Sequence, residues 1–126
     1  MPHWTNDELT ALGAAGELEI ASRRRDGTLS RRVTIWAVRD GDDVYVRSVN
    51  GPSATSYRAA RRRGTGRIWS GGVDQDVQFL PADGDVEDAI DSAYREKYGA
   101  SSSATQRITA PMARATTIRL APAQPH

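Results

Sequence analysis

Guanidinium groups and backbone amides are the donors that suit a phosphate best, and one stretch of this chain offers both. Val44-Tyr45-Val46-Arg47-Ser48-Val49-Asn50-Gly51 reads as a strand ending in a turn. Pro52-Ser53-Ala54-Thr55-Ser56-Tyr57-Arg58-Ala59-Ala60-Arg61-Arg62-Arg63-Gly64 then reads as a short basic helix. Arg47 near the strand end and Arg58 on the helix bracket a run of amides. A guanidinium grips an oxyanion through two parallel N–H bonds, and the start of a helix adds free amides and a favourable dipole. Ser48 and the Asn50-Gly51 turn would add hydroxyl and amide donors. The competing reading makes Arg47 an exposed strand residue and Ser48 to Gly51 an ordinary turn. Arg58, Arg61, Arg62 and Arg63 are then a solvated helix face. Trp36 reads as core or interface, or as a stacking partner for a flat ring. Tyr57 reads as core, or as a hydroxyl within reach of a ligand. Trp69, beside Gly71-Gly72, could wall the same pocket.

Other chemistries are excluded by what is missing. The chain has no cysteine, so a disulfide framework, a zinc ribbon and a thiol nucleophile are ruled out. Its two histidines, His3 and His126, stand at the ends, which disfavours a Ser-His-Asp triad or a histidine metal site. No apolar run approaches the roughly 20 residues that cross a bilayer, and no secretory signal opens the chain. A cytoplasmic protein that binds neither membrane nor nucleic acid is expected. The net charge of +1 conceals segregation. Residues 1–70 hold twelve arginines against eight acids, and residues 71–100 hold two basic residues against eight acids. A dense basic stripe occurs only around residues 58–67, too narrow for the usual nucleic-acid footprint.

The elements follow from caps, periodicity and turns. Thr5 and Glu8 form a capping-box pattern, with Trp4 and Leu9 placed as a hydrophobic staple, so a helix runs to about Ala15. Glu17 to Arg23 alternates as a strand, and Asp26-Gly27 is a turn. Arg32 to Arg39 is β-rich, Asp40 to Asp43 a second turn, and Val44 to Val49 a third strand, together an antiparallel meander. A helix capped by Ser53 ends at Gly64. Strands at 66–70 and 73–80 follow. Asp85 to Tyr98 carries an apolar stripe at helical spacing and acids in its first turns. A serine-rich segment spans 100–105, leaving 99–114 as either a lid or a linker. Ala115 to Ala121 is a last strand. The sequence thus predicts an α+β fold, with one domain over 1–122 and a tail over 123–126. About six antiparallel strands would close into a small barrel rather than leave open edges. An N-terminal helix, a short basic helix and a longer acidic amphipathic helix would surround it.

That order resembles the split β-barrel of flavin reductases related to pyridoxamine-phosphate oxidase, and is similar to deazaflavin-dependent nitroreductases. More narrowly, Arg32 to Val38, Val44 to Gly51 and Tyr57-Arg58-Ala59-Ala60 resemble the domain of unknown function 2255 family of small bacterial proteins. The wider resemblance implies a homodimer binding FMN or a deazaflavin. Arg32, Thr34, Arg47 and Ser48 would lie on the second and third strands, Asn50 and Gly51 at the turn, and Tyr57 and Arg58 on the helix. Two departures stand out. The flavin oxidases usually offer a lysine here, whereas Lys97 on the acidic helix is the only lysine. The lead-in Gly27 to Arg32 only partly matches that of the deazaflavin enzymes.

The favoured expectation is a flavin- or deazaflavin-binding oxidoreductase acting on a small organic substrate. The phosphate would meet Arg47, Ser48, Asn50, Gly51 and Arg58, and the ring would meet Arg32, Thr34 and Trp36. The alternative is a cofactor-free small-molecule binder, or a lyase, cyclase or isomerase, on the same barrel with Asp74 or Asp76 as base. A nucleic-acid binder using the Arg58 to Arg67 stripe is the third reading.

Overall fold

A computed structural model describes residues 3–123. The first helix, α1 (Asn6–Ala14), begins where the capping box places it. The Glu8 amide donates to Thr5 Oγ1 at 3.1 Å, and the Thr5 amide donates to Glu8 Oε1 at 2.9 Å. Trp4 and Leu9 are both buried in the main core, and Trp4 Nε1 donates to the Leu120 carbonyl.

Among the described residues, seven antiparallel strands form one sheet: β1 (Leu18–Ser22), β2 (Val33–Ile35), β3 (Ala37–Asp40), β4 (Asp43–Val46), β5 (Thr65–Ser70), β6 (Val73–Pro81) and β7 (Ile118–Pro122). Their order is β2-β1-β5-β6-β7-β4-β3. The run expected as one strand over 32–39 is broken at Trp36, which raises the expected six strands to seven. Val33 pairs with Ile20 of β1, whereas Ala37 pairs with Val46 of β4. The two halves of one run therefore occupy opposite ends of the sheet, and a single residue joins its edges into a nearly closed barrel. Closure of so few strands demands a sharp change of direction. It falls at Trp36, whose carbonyl accepts the Tyr94 hydroxyl at 2.8 Å and whose ring stacks on Tyr98 at 3.9 Å.

Helix α2 (Thr55–Arg63) follows β4, with Ala54 rather than Ser53 as N-cap, and stops at Gly64, whose φ is 75°. Helix α3 (Glu87–Tyr98) enters through a 3₁₀ turn at Gly84–Val86. The segment 99–114 contains α4 (Ser103–Ile108) and α5 (Pro111–Arg114), in place of the expected lid or linker. Helices this short hold only by tertiary packing. Ile108 and Ala113 are fully buried, and Ser102 caps α4. The first residue of the expected tail still joins the sheet, since the Ala123 amide donates to the Asp76 carbonyl. Residues 124–126 lie outside the described residues. No helix among the described residues is long and apolar enough to cross a bilayer.

Two apolar clusters hold the fold. One joins α1 to the sheet through Leu9, Leu12, Leu18, Ile68 and Leu120; the other seats Ile90 and Tyr94 of α3 with Ile108 of α4 against Val38 and Tyr45. Lys97 ties α3 to both α1 and β3, its ammonium donating to the carbonyls of Leu12 at 3.3 Å and Ala37 at 2.6 Å. Burial lowers its pKa from 10.5 to about 8.

Two outcomes are expected. At Gly66 of β5 a Cβ would collide with the Ala21 carbonyl and lie 2.6 Å from Phe79 Cζ. Gly66→Ala should therefore cost about 3 kcal/mol, read as a lower urea midpoint; an unchanged midpoint would refute the close approach. For Lys97, the unfolded chain keeps its proton to about pH 10.4 while the folded chain releases it near 8. Stability should then rise modestly from about pH 8 towards 10, because the unfolded state binds more protons there. Lys97→Met should flatten that rise, and an equally steep rise in the variant would contradict the assignment.

Candidate functional site

A cleft of about 940 Å³ runs beside α2. Its apolar lining comes largely from the sheet: Ile20, Val33, Ile35, Val46, Phe79 and Ile118. Its polar lining is lopsided. Besides Arg47, six arginines border it (Arg24, Arg31, Arg58, Arg62, Arg63 and Arg107), and no Asp, Glu, His or Lys does so among the described residues. None of the six forms an ion pair with a described residue. Arg63 Nη1 donates to Ser22 Oγ at 2.8 Å, and Arg24 Nη1 to the Leu29 carbonyl at 3.1 Å. Arg107 reaches Asn50 Oδ1 at 3.5 Å. Such a set attracts oxyanions and leaves the protein with no carboxylate to repel them.

Thr34, Trp36, Ser48, Asn50, Tyr57 and Arg58 all line this one cleft. Three expected site residues do not serve it. Arg32, which precedes β2, is absent from the cleft lining; its guanidinium sits 3.8 Å over the Trp69 ring and 3.8 Å from Glu19. Trp69 also stands away from the cleft lining. Gly51 backs onto Met112, whose Cε would be 2.7 Å from a Cβ there. Arg47 is the important correction. It stands at the cleft wall, but its side chain is 0% exposed and its donors are already engaged. Nη1 donates to Asp91 Oδ1 and the Ile108 carbonyl, Nη2 to Glu87 Oε1 at 2.9 Å, and Nε to Thr117 Oγ1 at 2.9 Å. A buried guanidinium facing two carboxylates has nothing left for an outside anion.

The clue lay in α3. Glu87 and Asp91 are four apart, so they share a helix face and repel unless a cation sits between them. Arg24, Arg31 and Arg107 come from other elements and carry no local signal, and spacing within the basic helix does not say which of Arg58, Arg61, Arg62 and Arg63 face inward. The two candidate bases fare no better. Asp74 pairs with Arg67 at 2.6 Å, and Asp76 pairs with Arg23 and Arg67 at 2.8 Å. Neither lines the cleft.

The architecture is similar to that of a crystal structure from Listeria innocua, provisionally described as a pyridoxamine 5'-phosphate oxidase. The match has a TM-score of 0.62 at 15% identity and covers 94% of this chain and 93% of that one. This places the fold among the split β-barrels. Residues 8–120 match the family described as "Uncharacterized protein conserved in bacteria (DUF2255)", and the chain belongs to that family. No curated protein matches the sequence.

Removing one partner from the Arg47 cluster strands buried charge. Arg47→Met should cost about 3–5 kcal/mol in chemical denaturation. A variant as stable as the parent but unable to bind phosphate would reinstate Arg47 as an anion ligand.

Proposed function

We propose that the cleft binds a phosphorylated flat heterocycle, FMN or a deazaflavin, and that the protein is a homodimeric oxidoreductase acting on a small organic substrate. The carrying observation is the combination of an arginine border free of carboxylates with an apolar floor and the indole of Trp36. The volume lies at the upper end of the roughly 300–1,000 Å³ typical of small-molecule sites. It leaves room for a cofactor and a small substrate together.

At one end, α2 begins without a side-chain cap and without an acid in its first turn. Ser48, Asn50, Thr55 and Ser56 line the cleft there, and Arg58 lies one turn on. These groups would hold the phosphate, replacing the assignment to Arg47 and Gly51. Trp36, braced on Tyr98, would wall the ring with Thr34 beside it. The bound group would supply the hydride chemistry. The chain's own residues bind, orient and exclude water. With no carboxylate, histidine or lysine on the described lining, Tyr57 is the one acid–base group there besides the arginines, which favours a cofactor-dependent reaction over a cofactor-free lyase or isomerase. Exposed apolar side chains at Val49 and Met112 support a second copy packing near the cleft mouth.

Titration with FMN and with a deazaflavin, followed by ligand fluorescence, tests the reading. Saturable quenching is expected with at least one of them. A charge-assisted hydrogen bond is worth about 1.5–3 kcal/mol, so Arg58→Ala should weaken binding about tenfold or more with the fold intact. No saturable change with either compound would overturn the proposal. Sedimentation at micromolar concentration tests the dimer.

A further inference from the structure

We infer that the far end of the cleft holds a second anion subsite, formed by Arg24, Arg31 and Arg63 around Ser22 and Ser30, which takes the carboxylate or phosphate of an anionic substrate. The inference rests on the reading above, in which the start of α2 holds the cofactor phosphate.

The two ends of the cleft are distinct places. Helix α2 has nine residues, about 13 Å at the α-helical rise. Its first turns face the α5–β7 connection, where the Tyr57 hydroxyl lies 3.5 Å from the Ala115 carbonyl. Its last residue, Arg63, reaches the end of β1 at Ser22. One monophosphate at the start of the helix therefore leaves the cations at its end unmatched.

Those cations are arranged around a fixed polar centre. Ser22 is only 6% exposed. Its amide donates to Ser30 Oγ at 3.0 Å, the Ser30 amide returns a bond to the Ser22 carbonyl at 2.8 Å, and the two hydroxyls lie 3.4 Å apart. This exchange clamps the end of β1 to the chain that leads into β2 and brings Arg24 and Arg31 to the cleft from that side. Arg63 enters from the opposite side and spends one nitrogen on Ser22 Oγ. Basic residues in the last helical turn also suit the helix dipole, which accounts for Arg61, Arg62 and Arg63 by itself. It does not account for Arg24 and Arg31, which belong to another element, nor for Arg63 turning onto a buried serine. Three guanidiniums beside an apolar floor repel one another, and an oxyanion among them would offset that cost.

The test uses inorganic phosphate and succinate as probes, titrated calorimetrically into the full chain with and without saturating FMN. Both probes should bind the FMN-saturated protein, and the preferred one identifies the oxyanion class. Arg63→Gln and Arg31→Gln should each weaken the probe about tenfold while changing FMN affinity less than about twofold. Arg31 makes no side-chain hydrogen bond or ion pair among the described residues, so its variant keeps the fold should Arg63→Gln lose it. Displacement of the probe by FMN, or probe affinity unchanged in Arg31→Gln and in a folded Arg63→Gln, would overturn the subsite. If FMN does not bind at all, the cofactor reading fails, and the probe titrations on the free chain still decide the subsite.

Discussion

Arg47 carries a full charge to a place that water does not reach, and burial of that kind is tolerated only with matched charge and a filled set of hydrogen bonds. Its acceptors come from three parts of the chain. Glu87 and Asp91 belong to α3, the Ile108 carbonyl to α4, and Thr117 to the approach of β7. Arg114 of α5 extends the cluster to Asp88 and Asp91. The segment after α3 is thereby fixed against the barrel, which sets Ala104, Arg107 and Ile108 as one wall of the cleft. An arginine that reads as a ligand is instead the post on which part of the site is built.

The second constraint is closure. One short run of chain serves both edges of the sheet, and its corner residue, Trp36, is held by two tyrosines of α3. Cleft, corner and α3 are therefore mechanically linked. The indole stands between the helix that the buried ion cluster fixes and the space a ligand would fill.

Much of this was legible in local signals. The capping box at Thr5, the first strand, the glycine stop at Gly64 and the apolar stripe of α3 all rest on signals within a few residues, and the structure keeps them. What escaped was set at long range. The break at Trp36 answers to barrel closure, not to any turn residue. Helices α4 and α5 draw on burial of Ile108 and Ala113, which a serine-rich stretch does not advertise. In the cleft, the strand end, turn and helix that the sequence singles out do come together, but Arg47 is consumed by buried carboxylates and other arginines form the border. Arg47 meets its carboxylates, Glu87 and Asp91, 40 and 44 residues further along the chain, only through folding, while Arg24, Arg31 and Arg107 reach the cleft from elements other than α2.

Apart from the phenol of Tyr57, the ionisable groups on the described lining are guanidiniums. Guanidinium stays protonated across the whole range in which proteins remain folded. The electrostatic field inside the cleft is accordingly constant from mildly acidic to mildly alkaline solution. Any sensitivity to acidity in what happens there must be carried in by the guest, through its own titrating atoms, and the host contributes an unvarying positive enclosure.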